Sequence, residues 1–280
     1  MYEPTTAHAL ASSSSTATRS MLLHPEPPDE PLPELLGAYD PAFLRRVYPF
    51  LSWWVDRYFR SEIIGAEHLS DRPGLIVGTH NGGMGTPDFY TLLVAFWRRL
   101  GIEAPLYSMA HKAVFSVPLF RTLIAKAGVI PATPGNAKMT LRAGFPLLVY
   151  PGGDVDALKP FSERHRITFA GRRGFIRTAL REQVPITPVV SVGAHETLFV
   201  LNDGRKLARR LGFDRWLRVK SVPIVLSFPL GLTIAGFPSI PLPSKVRLQV
   251  LPPIVLDEGP EAADDPTIVA RCYAHVVATM

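Results

Sequence analysis

The amino-acid sequence predicts an α/β domain with a mostly parallel central sheet flanked by helices. Short apolar runs such as Gly-Leu-Ile-Val-Gly at 74–78 and Pro-Leu-Leu-Val-Tyr at 146–150 are typical of fully buried strands. Between such runs, apolar residues recur at helical spacing, and this alternation favours parallel strands joined by crossover helices. We therefore expect functional residues in the loops that follow the strands.

The individual elements follow from local composition in chain order. The apolar runs predict strands, and the amphipathic stretches between them predict helices. We expect strands at 74–78, 104–109, 129–131, 146–150 and 185–192, and helices at 88–100, 118–127, 137–143 and 174–182.

The first 65 residues divide into two regions of different composition. Residues 1–35 are rich first in Ser, Thr and Ala and then in Pro, which predicts a disordered tail. Residues 36–65 mix aromatic residues with Arg and show helical spacing over 41–60. Two interpretations stay open: an amphipathic helix that covers the core, or an interfacial helix whose Trp and Arg side chains lie at lipid headgroups.

A second apolar segment, residues 221–244, contains no charged residue. Its five prolines disfavour a membrane-spanning helix. The segment predicts either buried strands and turns, or an apolar lip that enters one leaflet or lines an acyl-chain groove.

Charge and cysteine content limit the partners and the compartment. The net charge of +6 favours an anionic partner such as a phospholipid surface or a phosphorylated carrier. No recognition motif accompanies the basic stretches, so we do not expect nucleic acid. Cys272 is the single cysteine, which excludes an internal disulfide and indicates a cytosol-facing compartment. We expect a peripheral or monotopic protein on the cytoplasmic face of a membrane.

The strongest candidate site is the segment from His80 to Asp88. On a continuous helix the two residues would lie roughly 12 Å apart, so they meet only if the intervening loop folds back. Gly82, Gly83 and Gly85 allow such a loop, and Gly82 and Gly83 are also candidate substrate-binding residues. A His oriented by a carboxylate suits general-base catalysis on a hydroxyl. The alternative is a glycine-rich turn with a structural histidine.

Four blocks of this sequence together resemble the glycerolipid acyltransferase superfamily, which includes the PlsC-like and diacylglycerol-acyltransferase-like enzymes. The family pattern separates His and Asp by four residues, whereas seven intervene between His80 and Asp88. The further blocks are Gly-Val-Ile-Pro-Ala at 128–132, Tyr-Pro-Gly-Gly-Asp-Val-Asp at 150–156 and Val-Pro-Ile-Thr-Pro-Val at 184–189.

This resemblance implies a PlsC-like acyltransferase fold, here over residues 66–280. It also implies membrane lipids as partners and an acyl-CoA or acyl-carrier-protein thioester as donor, with no metal and no bound cofactor. Pro188, in the fourth block, is expected to wall the site. Because Thr133 and Pro134 stand where phosphate-reading members usually have Arg, we expect a neutral lipid acceptor.

Further substrate contacts are predicted around the third block. Gly152 and Gly153 follow a strand, so their N–H groups suit a phosphate or an oxyanion. Asp154 and Asp156 either orient the acceptor or lie in solvent. Seven cations between Lys159 and Arg181 accompany one acid, which indicates either a solvated basic face or contact with CoA phosphates or anionic headgroups. Arg172 and Arg173 are similar to the family's basic stretch.

The predicted function is therefore transfer of a fatty acyl group to a lipid alcohol, with His80 as general base. Two alternatives remain open. An acyl hydrolase would use the same histidine, although the chain contains no Gly-x-Ser-x-Gly elbow. A non-catalytic lipid-binding protein would keep the fold with the altered His–Asp spacing.

Overall fold

The computed structural model describes residues 32–83, 86–204, 223–234 and 240–280, and a seven-stranded sheet forms its centre. Its strand order is β1-β10-β6-β2-β5-β3-β4. The ten strands are β1 (Glu62–Ile64), β2 (Leu75–Gly78), β3 (Tyr107–Ala110), β4 (Val129–Pro131), β5 (Leu147–Val149), β6 (Ile186–Val192), β7 (Phe199–Asn202), β8 (Ile224–Ser227), β9 (Gly231–Ile234) and β10 (Arg247–Val250).

The five strands β6, β2, β5, β3 and β4 run parallel, which confirms the predicted α/β fold with its mostly parallel sheet. β10 is antiparallel to β6 and parallel to β1, so this edge of the sheet runs the other way. The sequence analysis did not predict β1 and β10.

Helices cover both faces of the sheet. They are α1 (Pro41–Trp53), α2 (Pro87–Leu100), α3 (Pro118–Lys126), α4 (Pro134–Arg142), α5 (Gly153–Ala157), α6 (Gly174–Glu182) and α7 (Pro266–Thr279). Alternate residues of β2 face opposite sides, as expected for a strand. Leu75 and Val77 pack with residues of α4, α6 and α7, whereas Ile76 packs with residues of α1 and α2. The sheet is therefore the middle of three layers.

The N-terminal helix, α1, is anchored to the core, whereas its Phe50 and Trp53 side chains are more than half exposed. The Asp40 carboxylate caps α1 by accepting a hydrogen bond from the Phe43 N–H at 2.9 Å. α1 continues as a π-helix over Trp54–Tyr58, and Leu44 is 1% exposed. Before it, a 3₁₀ turn at Pro33–Leu35 packs Leu35 against the core. The rest of the predicted tail, residues 1–31, lies outside the described residues.

A second sheet contains two strands of the apolar segment, β8 and β9, together with the preceding strand β7. β7, β8 and β9 pair antiparallel in that order. Val200 and Val225 on one face are fully buried, whereas Leu226 and Leu232 on the other are 47% and 67% exposed. The expectation of buried strands is thus correct for one face only. Residues 221–222 and 235–239 lie outside the described part of the chain. In that described part, no helix has the length and apolar character needed to cross a bilayer.

Candidate active site

His80 and Asp88 lie at the carboxyl edge of the parallel strands. His80 is the second residue after β2, and Asp88 is the second residue of α2. β2 lies between β5 and β6, so the loops after three neighbouring strands surround the histidine. This is where ligands bind in open α/β sheets.

The structure brings the two side chains together. His80 Nδ1 lies 3.3 Å from Asp88 Oδ2. An ionised carboxylate can only accept, so the Nδ1 of the ring carries the proton of this bond. The Asp88 Oδ2 atom also accepts from the Asn81 N–H at 2.8 Å, and its Oδ1 atom accepts from the Phe89 N–H at 2.9 Å. The Asp88 side chain is 1% exposed and that of His80 is 17% exposed, so the ring is the accessible member of the pair.

The glycines of the intervening loop make this approach possible. Gly82 and Gly83 have φ values of +78° and +61°, in the region that favours glycine. A Cβ atom on Gly82 would lie 2.5 Å from the Ala194 carbonyl oxygen and 2.8 Å from Pro87 Cδ. The predicted substrate-binding glycines therefore act at least as loop-forming residues. The third predicted glycine, Gly85, lies outside the described residues.

The opposing charge of Asp88 alters the ionisation of His80. Burial is the largest single effect and lowers the pKa of the imidazole, but the charge and hydrogen bond of Asp88 together with the charge of Asp156 raise the pKa above its ordinary value. On one face the ring stacks on Tyr150, with ring centroids 4.7 Å apart. Burial raises the pKa of Tyr150 well above 10, so its phenol stays protonated. A side chain at Gly78 would collide with the Tyr150 ring.

The sequence suggested that the two N–H groups of the glycine pair after β5 are open to a ligand, but the structure does not present two open N–H groups there. The Gly153 N–H donates to the Tyr150 carbonyl at 3.0 Å. Gly152 is buried, and a Cβ atom there would lie 2.5 Å from the Thr168 carbonyl oxygen and would also collide with Asp156. The pair is thus needed for a tight turn and for the close approach of Asp156.

The structure contradicts the solvent alternative for Asp156 and the solvated-face alternative for Lys159. Their side chains are 0% and 3% exposed. Lys159 Nζ donates to Asp156 Oδ1 at 2.8 Å and to the Arg166 carbonyl at 2.8 Å. The His80 backbone N–H donates to Asp156 Oδ2 at 2.7 Å. This buried ion pair lies directly behind the histidine, and the sequence analysis did not assign it that place.

Arg172 and Arg173 have partners within the chain. Arg172 donates to Asp154 Oδ1 at 2.9 Å and to the Gly152 carbonyl at 3.0 Å. Both members of this ion pair are largely exposed. Arg173 lies over the Tyr273 ring at 5.6 Å. The Arg172–Asp154 pair borders the glycine turn, while Arg173 is directed to α7.

Two further residues complete the surroundings. Pro188 is a buried residue of β6, paired with Val77 of the neighbouring β2. His195 lies after β6 and is 2% exposed. Its Nε2–H donates to the Lys159 carbonyl at 2.7 Å, and burial lowers its pKa below 6.5. His195 is therefore a buried support for the segment that holds Lys159.

Comparisons with known proteins show what this chain is similar to. The model of the family described as Acyltransferase matches residues 60–192. An uncharacterised protein of Mycobacterium leprae is 32% identical over 86% of this chain and 64% of its own length. A Gallus gallus protein named "DGAT1/2-independent enzyme synthesizing storage lipids" is 32% identical over 63% of this chain and 51% of its own length. The crystal structure of the 1-acyl-sn-glycerophosphate acyltransferase PlsC from Thermotoga maritima has a TM-score of 0.46 at 16% identity, over 87% of this chain and 76% of that chain.

The chain spans less than two thirds of the length of the curated relatives that it matches. The family match nevertheless contains β2 to β6, and with them His80, Asp88 and the glycine turn. The order of the sequence blocks and the match to the family lead to the same assignment. Residues 60–192 of this chain are an acyltransferase domain, as the family match shows.

Proposed function

We propose that this protein is an O-acyltransferase that moves a fatty acyl group from an acyl-CoA or acyl-carrier-protein thioester to a lipid hydroxyl. The observation that carries the proposal is the His80–Asp88 pair. The buried carboxylate engages Nδ1, which leaves Nε2 as the ring nitrogen for a substrate. The charge and hydrogen bond of Asp88 raise the pKa of the ring, which makes the neutral imidazole a stronger base for the acceptor hydroxyl.

The reaction needs only the ring and the two substrates. His80 Nε2 takes the proton of the acceptor hydroxyl while the hydroxyl oxygen forms a bond to the thioester carbonyl carbon. The carbon–sulfur bond then breaks, and the leaving thiolate takes the proton from the imidazolium. Asp88 stabilises the charged ring between these two steps. No acyl group is attached to the protein at any stage.

We further propose a neutral glycerolipid alcohol as acceptor. Thr133 stands where phosphate-reading members of the superfamily usually have Arg. In this protein its side chain caps a helix. Thr133 is 3% exposed, and its Oγ1 accepts from the Asn136 N–H at 3.1 Å as the cap of α4. The name of the Gallus gallus relative, which refers to storage lipids, agrees with a neutral product.

The test uses purified protein with labelled acyl-CoA and two acceptors, diacylglycerol and lysophosphatidate. We expect labelled triacylglycerol, no labelled phosphatidate and an activity that His80→Gln removes. His275→Gln is the matched control, because His275 is an exposed residue of α7. Transfer to lysophosphatidate alone would contradict the neutral acceptor. Full activity of His80→Gln would contradict the general-base role, and free fatty acid without acceptor would identify a hydrolase.

We also propose that the protein works on a membrane surface, and one continuous exposed region supports this. We call it the apolar rim. Its side chains are each more than half exposed: Phe50, Trp53, Phe228, Leu230, Leu232 and Ile240. Trp53 lies 6.5 Å from the Tyr58 ring, whose hydroxyl donates to the Pro241 carbonyl at 2.6 Å. The Ile240 N–H in turn donates to the Phe228 carbonyl at 2.9 Å, so these contacts join the end of α1 to the small sheet.

The chemistry of the apolar rim fits a lipid surface. Tyr and Trp rings favour the boundary between acyl chains and headgroups, and arginines there attract anionic lipids. Arg57 and Arg60 are exposed next to Tyr58. The two sequence predictions, an interfacial helix and an apolar lip, thus concern one surface.

Vesicle flotation tests this docking. The parent protein is expected to float with phosphatidylcholine vesicles containing phosphatidylglycerol. Leu232→Ser should lower the partition coefficient about ten-fold, the loss for roughly 1.5 kcal/mol of leucine burial. Val255→Ser is the control, because Val255 is 70% exposed and follows Ile254, which pairs with Ile186 at the opposite end of β6. Equal losses in both variants, or none in either, would refute the assignment.

A further inference from the structure

The buried ion pair behind the histidine has no part in the reaction written above, although it contacts the catalytic residue directly. Asp156 binds Lys159 through Oδ1 and the His80 N–H through Oδ2. Both side chains are almost completely removed from solvent. A buried charge pair seldom adds stability beyond an apolar replacement, so its presence beside a reacting group calls for another reason.

We propose that Asp156 and Lys159 are positioning residues for His80: the pair fixes the backbone where the histidine leaves β2 and acts on the ring through its two charges. This rests on the proposed role of His80 as general base.

The first part of the proposal is geometric. After β2, the His80 N–H is held by a carboxylate at 2.7 Å, while the following Asn81 N–H is held by Asp88 at 2.8 Å. Two successive N–H groups therefore donate to two different buried carboxylates. The imidazole starts from a backbone that is fixed on both sides, so its path to Asp88 is set before a substrate binds.

The surroundings hold the ion pair in place from three segments. Lys159 also donates to the Arg166 carbonyl, and its own carbonyl accepts from His195 Nε2 at 2.7 Å. Gly152 provides the space for Asp156, because a Cβ atom there would collide with the Asp156 side chain. The glycine turn of the third sequence block therefore serves the histidine indirectly, through Asp156.

The second part is electrostatic. The charged and titratable groups that face His80 are Asp88 from α2, Tyr150 after β5, and the ion pair from α5 and the residues after it. Burial lowers the pKa of His80, the charge of Asp88 raises it most, Asp156 raises it further and Lys159 lowers it. Burial also raises the pKa of the Asp156 carboxyl, and Lys159 opposes that rise.

The two charges make a test with opposite signs. The His80 ring is titrated by NMR in the full protein, with its signal assigned by its absence in His80→Gln. Asp156→Asn keeps the shape but removes the negative charge, so the pKa of His80 should fall. Lys159→Met leaves Asp156 unopposed, so the pKa should rise. The double variant, Asp156→Asn with Lys159→Met, should return the pKa of His80 towards the parent value. A purely structural pair would move the pKa in neither variant, or in the same direction in both, and either result would overturn the proposal.

Two measurements keep the proposal falsifiable if a single variant does not fold. In the parent protein the amide proton of His80 should exchange with solvent only through global unfolding, because it is hydrogen-bonded to a buried carboxylate. Exchange as fast as in an open loop would refute the positioning role. In folded variants, kcat should fall about 100-fold, as expected when a reacting group is misplaced, with little change in KM.

The NMR and exchange experiments need no substrate. A protein that lacks acyltransferase activity but shows opposite pKa shifts would contradict the proposed function and leave the positioning role intact. Acyltransferase activity in a protein whose His80 pKa shifts in neither variant would support the proposed function and contradict the positioning role.

Discussion

Replacing Asp88 by Asn tests the site most directly, because the substitution changes charge and hydrogen bonding but not size. The Asp88 carboxylate accepts from three donors: the His80 ring and the Asn81 N–H on Oδ2, and the Phe89 N–H on Oδ1. An amide has one oxygen and one NH₂ group. Whichever way it turns, its NH₂ group faces a donor.

The geometry decides which orientation the introduced amide takes. With the NH₂ group towards Phe89, one hydrogen bond is lost. With it towards His80 and Asn81, the Asn81 hydrogen bond is lost and the imidazole keeps its own only by changing tautomer, which puts its proton on Nε2. The first orientation is therefore favoured, and at 1% exposure no water replaces the lost partner. We expect Asp88→Asn to lower the free energy of unfolding by about 1–3 kcal/mol, the cost of one buried unsatisfied group.

The same change shifts the pH dependence in a defined direction. Burial lowers the pKa of His80 and the charge of Asp88 is the largest effect that raises it, so removing this negative charge lets the pKa fall. The neutral ring is the active base, so the acidic limb of the kcat/KM profile should move to lower pH, and kcat should fall about 100-fold or more. Because the folded pKa is raised, the His80–Asp88 pair stabilises the fold below pH 6.5 and this contribution is lost as pH rises through the folded pKa. The stability difference between parent and variant should therefore grow on acidification.

Urea unfolding at several pH values and a kcat/KM profile measure these effects. Asp264→Asn is the control, because the Asp264 side chain is 76% exposed and its ion pair with Arg181 lies on the surface. An acidic limb that stays in place or moves to higher pH in Asp88→Asn would refute the pairing. A stability difference that shrinks on acidification would refute the charged interaction.

Three further predictions concern the loops around the ring. Gly82→Ala should lower the free energy of unfolding, measured in urea, by more than Gly171→Ala. Both glycines have positive φ, which costs an alanine about 1–2 kcal/mol. Only at Gly82 would the added Cβ atom also collide with a carbonyl oxygen. Equal losses would refute the close approach. Tyr150→Phe should keep the rate–pH profile, because burial holds the pKa of the phenol well above 10; a shifted profile would implicate the hydroxyl. Arg172→Met should raise the KM for acyl-CoA about ten-fold and leave kcat unchanged, because one charged hydrogen bond to the donor is lost. An unchanged KM would show that Arg172 does not contact the donor.

The sequence was sufficient for the parallel part of the sheet because those strands are continuous apolar runs. β1 and β10 have no such signal. Each is three or four residues long and carries charge, and Glu62 of β1 pairs with Arg247 of β10 and with Lys245 beside it. These strands form through pairing between distant segments, which local composition does not encode.

The site shows the same division between local and distant information. The position of His80 after a strand and of Asp88 at a helix start could be predicted from local patterns. The burial of Lys159 could not, because a cation in a basic stretch is usually on the surface. It is buried here because Arg166 and His195 approach it from other parts of the chain. Sequence spacing put Asp156 three residues before Lys159 but gave no reason for either to leave water.

The seven residues between His80 and Asp88 show what this site requires. Each end of the loop is fixed by contacts outside it: His80 by the Asp156 carboxylate, and Asp88 by its place in the first turn of α2. Next to His80, the Asn81 side chain donates to Ser191 Oγ at 3.1 Å, and Gly82 lies against Ala194. These contacts fold the start of the loop towards the end of β6, so the extra residues do not push the pair apart. The distance between the imidazole and the carboxylate is therefore set by β2 and α2, and the spacing along the chain can differ from the family pattern while the pair still forms.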